Sequence, residues 1–386
     1  MKASKTVVTL GAVLALAACA DQSPTGARAT ATAPLLSAGA NAIEGQYIVV
    51  LKDGVDPARV AAAAAANPEF VYSEAVNGFS VSLNAGQLAA VRNHPAVAYV
   101  EEDQTMSLDV TQSGATWGID RIDQVNRPLS TTFTYTSTAS NVTAYVIDTG
   151  LRPTHTQFGG RATSVYNSAG GSNDDCNGHG THVAGTIGGS TYGVAKAVRL
   201  RGVKVLNCAG SGSTSGIIAG IDWVRLNATK PAVANLSLGG GFSSSLNTAV
   251  NNLANSGVFV AVASGNSNAN ACNYSPASAA NVTSVNASTS TDAKASFSNY
   301  GSCTHLYAPG QSITSAWYTS TTATNTISGT SMASPHVAGV GALYLAGNPS
   351  ASNATVRSWI INNATANVIT GNPSGTPNRL LFKSTL

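Results

Sequence analysis

From residue 117 onward, four near-continuous apolar runs at 142–147, 198–206, 233–238 and 258–263 alternate with helical stretches at 179–188, 215–226, 244–255 and 331–346. No other feature constrains the fold as tightly. Strands that are apolar on both faces must be covered on both. Alternation with helices therefore predicts an α/β architecture, a mostly parallel sheet between two helical layers. In such sheets the reactive side chains gather outside the carboxyl ends of the strands. No internal repeat is visible.

The last helical stretch opens on Gly329-Thr330-Ser331-Met332-Ala333-Ser334-Pro335-His336-Val337-Ala338-Gly339. The small-residue turn puts Ser331 at a helix N-terminus, where unpaired N–H groups and the helix dipole favour developing negative charge. Pro335 fits an early helical position. Taken alone, Ser331 is either a nucleophile or a plain N-cap.

A serine nucleophile needs a base and a group that orients the base. No Asp or Glu follows Asp292, so the orienting acid must precede the serine. Of seven acids after residue 110, only Asp148 ends a strongly apolar strand, Ala144-Tyr145-Val146-Ile147-Asp148-Thr149-Gly150. Asp222 falls in a helix, and Asp174 and Asp175 in a Gly/Asn loop. Among six histidines, His179 opens a helix after Asn177-Gly178, with His182 one turn later. Two histidines three apart can ligate zinc, but no third clustered ligand accompanies them. His155, His305 and His336 read as structural or exposed.

Asp148-Thr149-Gly150, His179-Gly180-Thr181-His182 and Gly329-Thr330-Ser331-Met332-Ala333 resemble the three signatures of the subtilisin superfamily, in its order Asp, His, Ser. The separations, 31 and then 152 residues, agree with it. Residues 112–385 are most similar to the proteinase K branch and, within it, to the aqualysin group. Trp117-Gly118-Ile119-Asp120-Arg121-Ile122-Asp123-Gln124 and Ala295-Ser296-Phe297-Ser298-Asn299-Tyr300-Gly301 carry that likeness.

The resemblance implies a serine endopeptidase in which Ser331 attacks a peptide carbonyl, His179 takes its proton and Asp148 orients the imidazole. Asn266, in Ala263-Ser264-Gly265-Asn266, would meet the oxyanion together with the Ser331 N–H. Gly210-Ser211-Gly212 and Ser237-Leu238-Gly239 would pair with an extended substrate. Gly239, Gly240, Ala263 and Gly265 would leave a roomy uncharged first pocket, and so a broad preference for apolar and aromatic residues before the cut. The rival is a catalytically inactive, surface-anchored binding protein that kept the fold. Against it, all four reactive positions carry competent residues.

After Cys19 the cysteines are Cys176, Cys208, Cys272 and Cys303, which permit three pairings. The resemblance implies Cys176–Cys208 and Cys272–Cys303. It also implies structural calcium, and no catalytic cofactor. Asp120, Asp123 and Gln124 match one calcium loop, but Ser130 and Thr132 stand where an acid and an amide are expected. At a second site His305 replaces an aspartate, which predicts a weak or empty site.

The N-terminal third reads differently. Residues 1–20 form an export signal: Lys2 and Lys5 precede an apolar run at 7–18, about 18 Å at helical rise and too short to span a bilayer. Leu16-Ala17-Ala18-Cys19 resembles a lipoprotein cleavage box, and Ala18-Cys19-Ala20 also fits ordinary cleavage. Membrane attachment could come only through a lipid on Cys19 of the precursor. Residues 21–41 look like a flexible linker.

Residues 42–109 read as a ferredoxin-like βαββαβ unit, with a helix capped by Asp56, a hairpin hinged on Asn77-Gly78 and a second helix at 85–93. This unit resembles the subtilase propeptide, an intramolecular inhibitor. Residues 110–386 are then the catalytic domain, with self-cleavage between Leu108 and Gln112. Residues 42–109 hold three basic and nine acidic side chains, whereas residues 111–386 hold fourteen basic and seven acidic. Opposite signs suggest docking of one segment on the other. No Lys/Arg run points to nucleic acid. The expectation is an exported enzyme, soluble and monomeric once matured, acting on protein and peptide substrates.

Overall fold

The computed structural model describes residues 32–39, 42–104 and 110–386. The export segment with Cys19, most of the linker and residues 105–109 of the expected cleavage region lie outside these. The chain divides into two compact units, Met1–Met106 and Ser107–Leu386.

The first unit contains β1 (Leu35–Leu36), β2 (Ala42–Leu51), α1 (Pro57–Ala63), β3 (Pro68–Tyr72), β4 (Gly78–Ser82), α2 (Ala85–Arg92) and β5 (Val97–Gln104). Its sheet runs β1-β5-β2-β4-β3. Without β1 this is the ferredoxin-like order. The Asp56 carboxylate accepts from Ala58 N at 2.9 Å, and Asn84 and Gln87 close a reciprocal capping box. Val49, Phe79, Val81, Val91 and Val100 form a solvent-free core.

Two details depart from the expectations. Residues 32–39 are not linker: β1 pairs in parallel with β5, and Ala33 is buried. The β3–β4 connection is also a longer loop, because the Asn77 amide donates to the Lys52 and Val55 carbonyls and leaves Gly78 to begin β4.

The second unit adds β6 (Val110–Ser113), α3 (Trp117–Arg121), β7 (Thr132–Tyr135), β8 (Thr143–Asp148), β9 (Ala162–Asn167), α4 (His179–Gly188), β10 (Arg199–Lys204), α5 (Thr214–Asn227), β11 (Ala232–Leu236), β12 (Gly240–Gly241), α6 (Ser244–Asn255) and β13 (Phe259–Ala263). It continues through β14 (Tyr274–Ser275), β15 (Thr283–Ser288), β16 (Leu306–Pro309), β17 (Ile313–Ala316), β18 (Thr324–Ile327), α7 (Thr330–Gly347), α8 (Asn353–Asn363), β19 (Thr365–Ala366) and β20 (Arg379–Leu380). The main sheet runs β19-β20-β16-β15-β13-β11-β8-β10-β9 and is parallel except at the β19–β20 pair.

Alternate residues of β8 serve the two layers. Ala144 and Val146 join the core built with α4, α7 and α8, whereas Tyr145 and Ile147 join the one built with α5 and α6. Strand β8 lies between β10 and β11, where the strand order reverses, so its carboxyl end opens on a crevice. Asp148 is the last residue of that strand.

Candidate active site

Asp148 is fully buried, and its Oδ1 accepts from His179 Nδ1 at 2.7 Å and from Thr149 N at 2.7 Å. His179 is the first residue of α4, after Gly178 at φ +110°. A Cβ at Gly178 would lie 2.5 Å from the Trp317 ring, so both conformation and space require glycine there. Burial by itself would lower the His179 pKa. The charge of Asp148 and its hydrogen bond, with a smaller contribution from Asp175, raise it overall. About a quarter of the His179 side chain stays open to solvent.

Ser331 is the second residue of α7, and its hydroxyl donates to the Ser237 carbonyl at 3.1 Å. In this rotamer it makes no hydrogen bond to His179. Pro335 lies inside α7 at its sixth position, deeper than the first-turn placement expected from sequence. Having no N–H, it cannot bond to the Ser331 carbonyl four residues back. That carbonyl instead accepts from Ser237 Oγ at 2.7 Å. Ser237 Oγ accepts in turn from Asn235 Nδ2 at 2.8 Å, and Asn235 Oδ1 accepts from Ser334 Oγ at 2.6 Å. A buried polar chain thus fixes the turn that carries Ser331.

The Asn266 Oδ1 accepts from both Thr330 N, at 2.8 Å, and Thr330 Oγ1, at 2.9 Å. Its orientation is therefore set, with Nδ2 left over on the side of Gly329, whose ideal Cβ position is 3.4 Å away. Gly265, at φ +105°, packs against the Asn299 amide, which a Cβ would approach to 2.3 Å.

A cavity of about 220 Å³ is lined by Leu238, Gly239, Gly240, Ala263, Gly265, Asn266, Tyr274 and Ser331, with no charged residue. A neighbouring cleft of about 400 Å³ is lined by His179, Gly210, Ser211, Gly212, Ser237, Leu238 and Gly239. Leu238 and Gly239 border both, so His179 and Ser331 flank one strip of backbone. Disulfides join Cys176 to Cys208 and Cys272 to Cys303. Thr330, Asn235 and Ser334 escaped the sequence reading, since hydroxyls and an amide in small-residue segments carry no distinguishing pattern.

The 120–132 loop is closed by its own groups. Asp120 Oδ1 accepts from Ser130 N and Oγ, and Oδ2 from Thr131 N. Gln124 Oε1 accepts from Ser130 N, and Asp123 Oδ2 from Thr134 N, with Lys383 Nζ 4.0 Å from Oδ1. Burial raises the Asp123 pKa despite these donors. His305 Nδ1 accepts from Ser284 N, and burial together with the Arg357 charge lowers the imidazole to about 4. Arg357 Nη1 donates to the Ala280 carbonyl at 2.8 Å and the Val282 carbonyl at 3.3 Å. His155 and His336 are buried and bonded to backbone carbonyls, consistent with structural roles.

Comparison with known proteins bears on the family and the fold. Residues 139–380 match the subtilase family model, and residues 46–109 match the peptidase inhibitor I9 model. The chain is 51% identical to an extracellular serine proteinase of Thermus sp. (strain Rt41A) over 398 residues, covering 96% of this chain and 97% of that one. It is 44% identical to proteinase R of Parengyodontium album, covering 83% and 85%. The crystal structure of a cold adapted subtilisin-like serine proteinase aligns with a TM-score of 0.69 at 52% identity, over 71% of this chain and 99% of that one. A parallel α/β sheet with these signatures at its carboxyl edge, preceded by an I9 segment, makes the chain a member of the subtilase family, a subtilisin-like serine protease.

Proposed function

We propose that the protein is an exported endopeptidase precursor that cuts itself free of residues 42–109 and leaves 110–386 as the mature enzyme. The observation that carries the reading is the 2.7 Å contact of a buried carboxylate with an imidazole in the cleft lined by Ser237, on whose carbonyl the Ser331 hydroxyl rests. Ser331 attacks the peptide carbonyl once its hydroxyl turns from Ser237 to His179, which takes the proton. Asp148 keeps the imidazole in the tautomer that accepts at Nε2 and stabilises the cation that forms. The Ser331 N–H and Asn266 Nδ2 receive the oxyanion. His179 then protonates the leaving amine, and water releases the acyl group. Export accords with the extracellular relative and with disulfides in the chain.

Gly210–Gly212 and Ser237–Gly239 would receive an extended peptide as an added strand, since residues with little side chain let another backbone come close. The uncharged cavity beside Ser331 suits apolar and aromatic residues before the cut.

Subtilases commonly bind structural calcium. The residues marked in this sequence do not fit a resident ion. Calcium takes about six to eight oxygen ligands, whereas the Asp120 and Gln124 oxygens are already held by Ser130 and Thr131. At His305 the imidazole Nδ1 is taken by Ser284 N, and the Arg357 charge opposes a cation there.

Four outcomes check this reading. Ser331→Ala should accumulate at full precursor mass, whereas the unaltered protein loses about a hundred N-terminal residues; normal processing of the variant would end the proposal. Asn266→Ala should fold normally and lose roughly 10²–10³ in kcat, the loss known for the corresponding amide of subtilisin itself. A peptide panel should show broad cleavage after apolar and aromatic residues, and strict selection for Arg or Glu would exclude the pocket assignment. Chelation should shift Tm by less than about 2 °C, the effect of roughly 1 kcal/mol in a protein of this size; a larger loss restored by calcium would show a bound ion.

A further inference from the structure

We propose that Asp175 is a positioning residue that sets the geometry between Asp148 and His179, and that its charge also bears on the imidazole. The proposal rests on the catalytic reading above. Asp175 lies in the Gly/Asn loop before α4 and is only 8% exposed. Its carboxylate accepts five hydrogen bonds. Oδ1 receives Thr149 Oγ1, Asn177 N and Gly178 N, each at 2.9 Å. Oδ2 receives Thr181 N at 2.9 Å and Thr181 Oγ1 at 2.6 Å.

These donors belong to the two segments that carry the acid and the base. Thr149 directly follows Asp148, and Asn177, Gly178 and Thr181 bracket His179. Thr149 Oγ1 also accepts from Gly180 N at 2.9 Å, so one hydroxyl bridges Asp175 and the first turn of α4. A carboxylate with this many donors is held rigidly in place. It leaves the Asp148 strand end and the α4 N-terminus little freedom to drift apart.

The same charge acts on the imidazole. The titratable groups around His179 are Asp148 on β8, Asp175 in the preceding loop and His182 on α4. Behind Asp175 lies Lys204 on β10, whose buried Nζ donates to the Thr149 and Asp174 carbonyls at 2.8 and 3.2 Å. Asp148 and Asp175 hold the proton on His179, while burial opposes them. Removing the Asp175 charge therefore lowers the pKa of the base. Because the base must be neutral to act, the acid limb of kcat/KM moves to lower pH.

The test compares mature Asp175→Asn with the unaltered enzyme, using active-site titration so that rates refer to folded sites. The expected result is a kcat lower by roughly 10- to 100-fold with KM changed by less than about threefold, and an acid limb displaced to lower pH. A limb that stays in place, whatever the stability of the variant, overturns the proposal. If Asp175→Asn yields no mature enzyme, Thr149→Val decides, since it removes the bridging hydroxyl and keeps the charge. It should lower kcat without moving the limb, and Thr149→Ser should restore kcat relative to it. Unaltered kcat in Thr149→Val overturns the positioning role. Failure of the catalytic reading itself would look different, as self-processing by Ser331→Ala.

Discussion

A carboxylate at the end of a fully buried strand is the constraint around which the catalytic unit is arranged. Asp148 has no exposed surface, and one of its oxygens, Oδ2, has no hydrogen-bond partner among the described residues. An isolated buried carboxylate is costly, and close, directed donors offset that cost. Thr149 N and His179 Nδ1 supply them on the other oxygen. The strand order allows this, because β8 is the switch strand and its end faces an opening. Its neighbour β10 contributes Lys204, which is in register with Asp148. The lysine ammonium holds the Thr149 carbonyl, so the residue after the acid is fixed from both its hydroxyl and its carbonyl.

On the serine side, a missing backbone bond has been put to use. A proline at the sixth position of a helix removes one i→i−4 bond and crowds the carbonyl it would have reached. In α7 that carbonyl belongs to Ser331, and Ser237 Oγ takes it. The helix thereby gains a link to the strand end after β11, and Ser237 in turn carries the carbonyl on which the Ser331 hydroxyl rests. Backbone and side chain of the same residue are thus tied to one neighbour. Replacing the proline by an ordinary residue would return the bond to the helix and loosen that link.

Those parts of the fold that depend on apolar periodicity were legible in the sequence. Helices α4 and α6 and the buried strands β8, β11 and β13 announced themselves through runs such as Ala144-Tyr145-Val146-Ile147. Strand β15, Thr283–Ser288, did not, because four of its six buried side chains are polar: Thr283, Ser284, Asn286 and Ser288, against Val285 and Ala287. Helix α8 was missed for a related reason, since only Asn353, Val356 and Ile360 of its eleven residues are buried, one of them polar. Strand β1 offers just two residues, and its place depends on pairing with β5, more than sixty residues away. The reactive side chains were found through motifs. Groups that hold them, such as Asp175 and Thr330, make contacts that local sequence does not encode.

The excess of basic residues in the second unit also has an internal explanation. Several of its cations hold backbone carbonyls. Arg121 reaches Gln124 and Val125 while paired with Asp292. Arg161 reaches Val198, Gln157 and Gly188. Arg357 takes Ala280 and Val282, and Lys196 takes Ser190 and Gly193. Guanidinium is weakly hydrated and carries five donors in a fixed fork, so it can clasp several loop carbonyls at once and stay charged. A chain in which only 10% of residues are charged has few acids to pair with these cations. Carbonyl oxygens are the partners left. The net positive charge of this unit therefore describes how its loops are held as much as any attraction for an acidic segment.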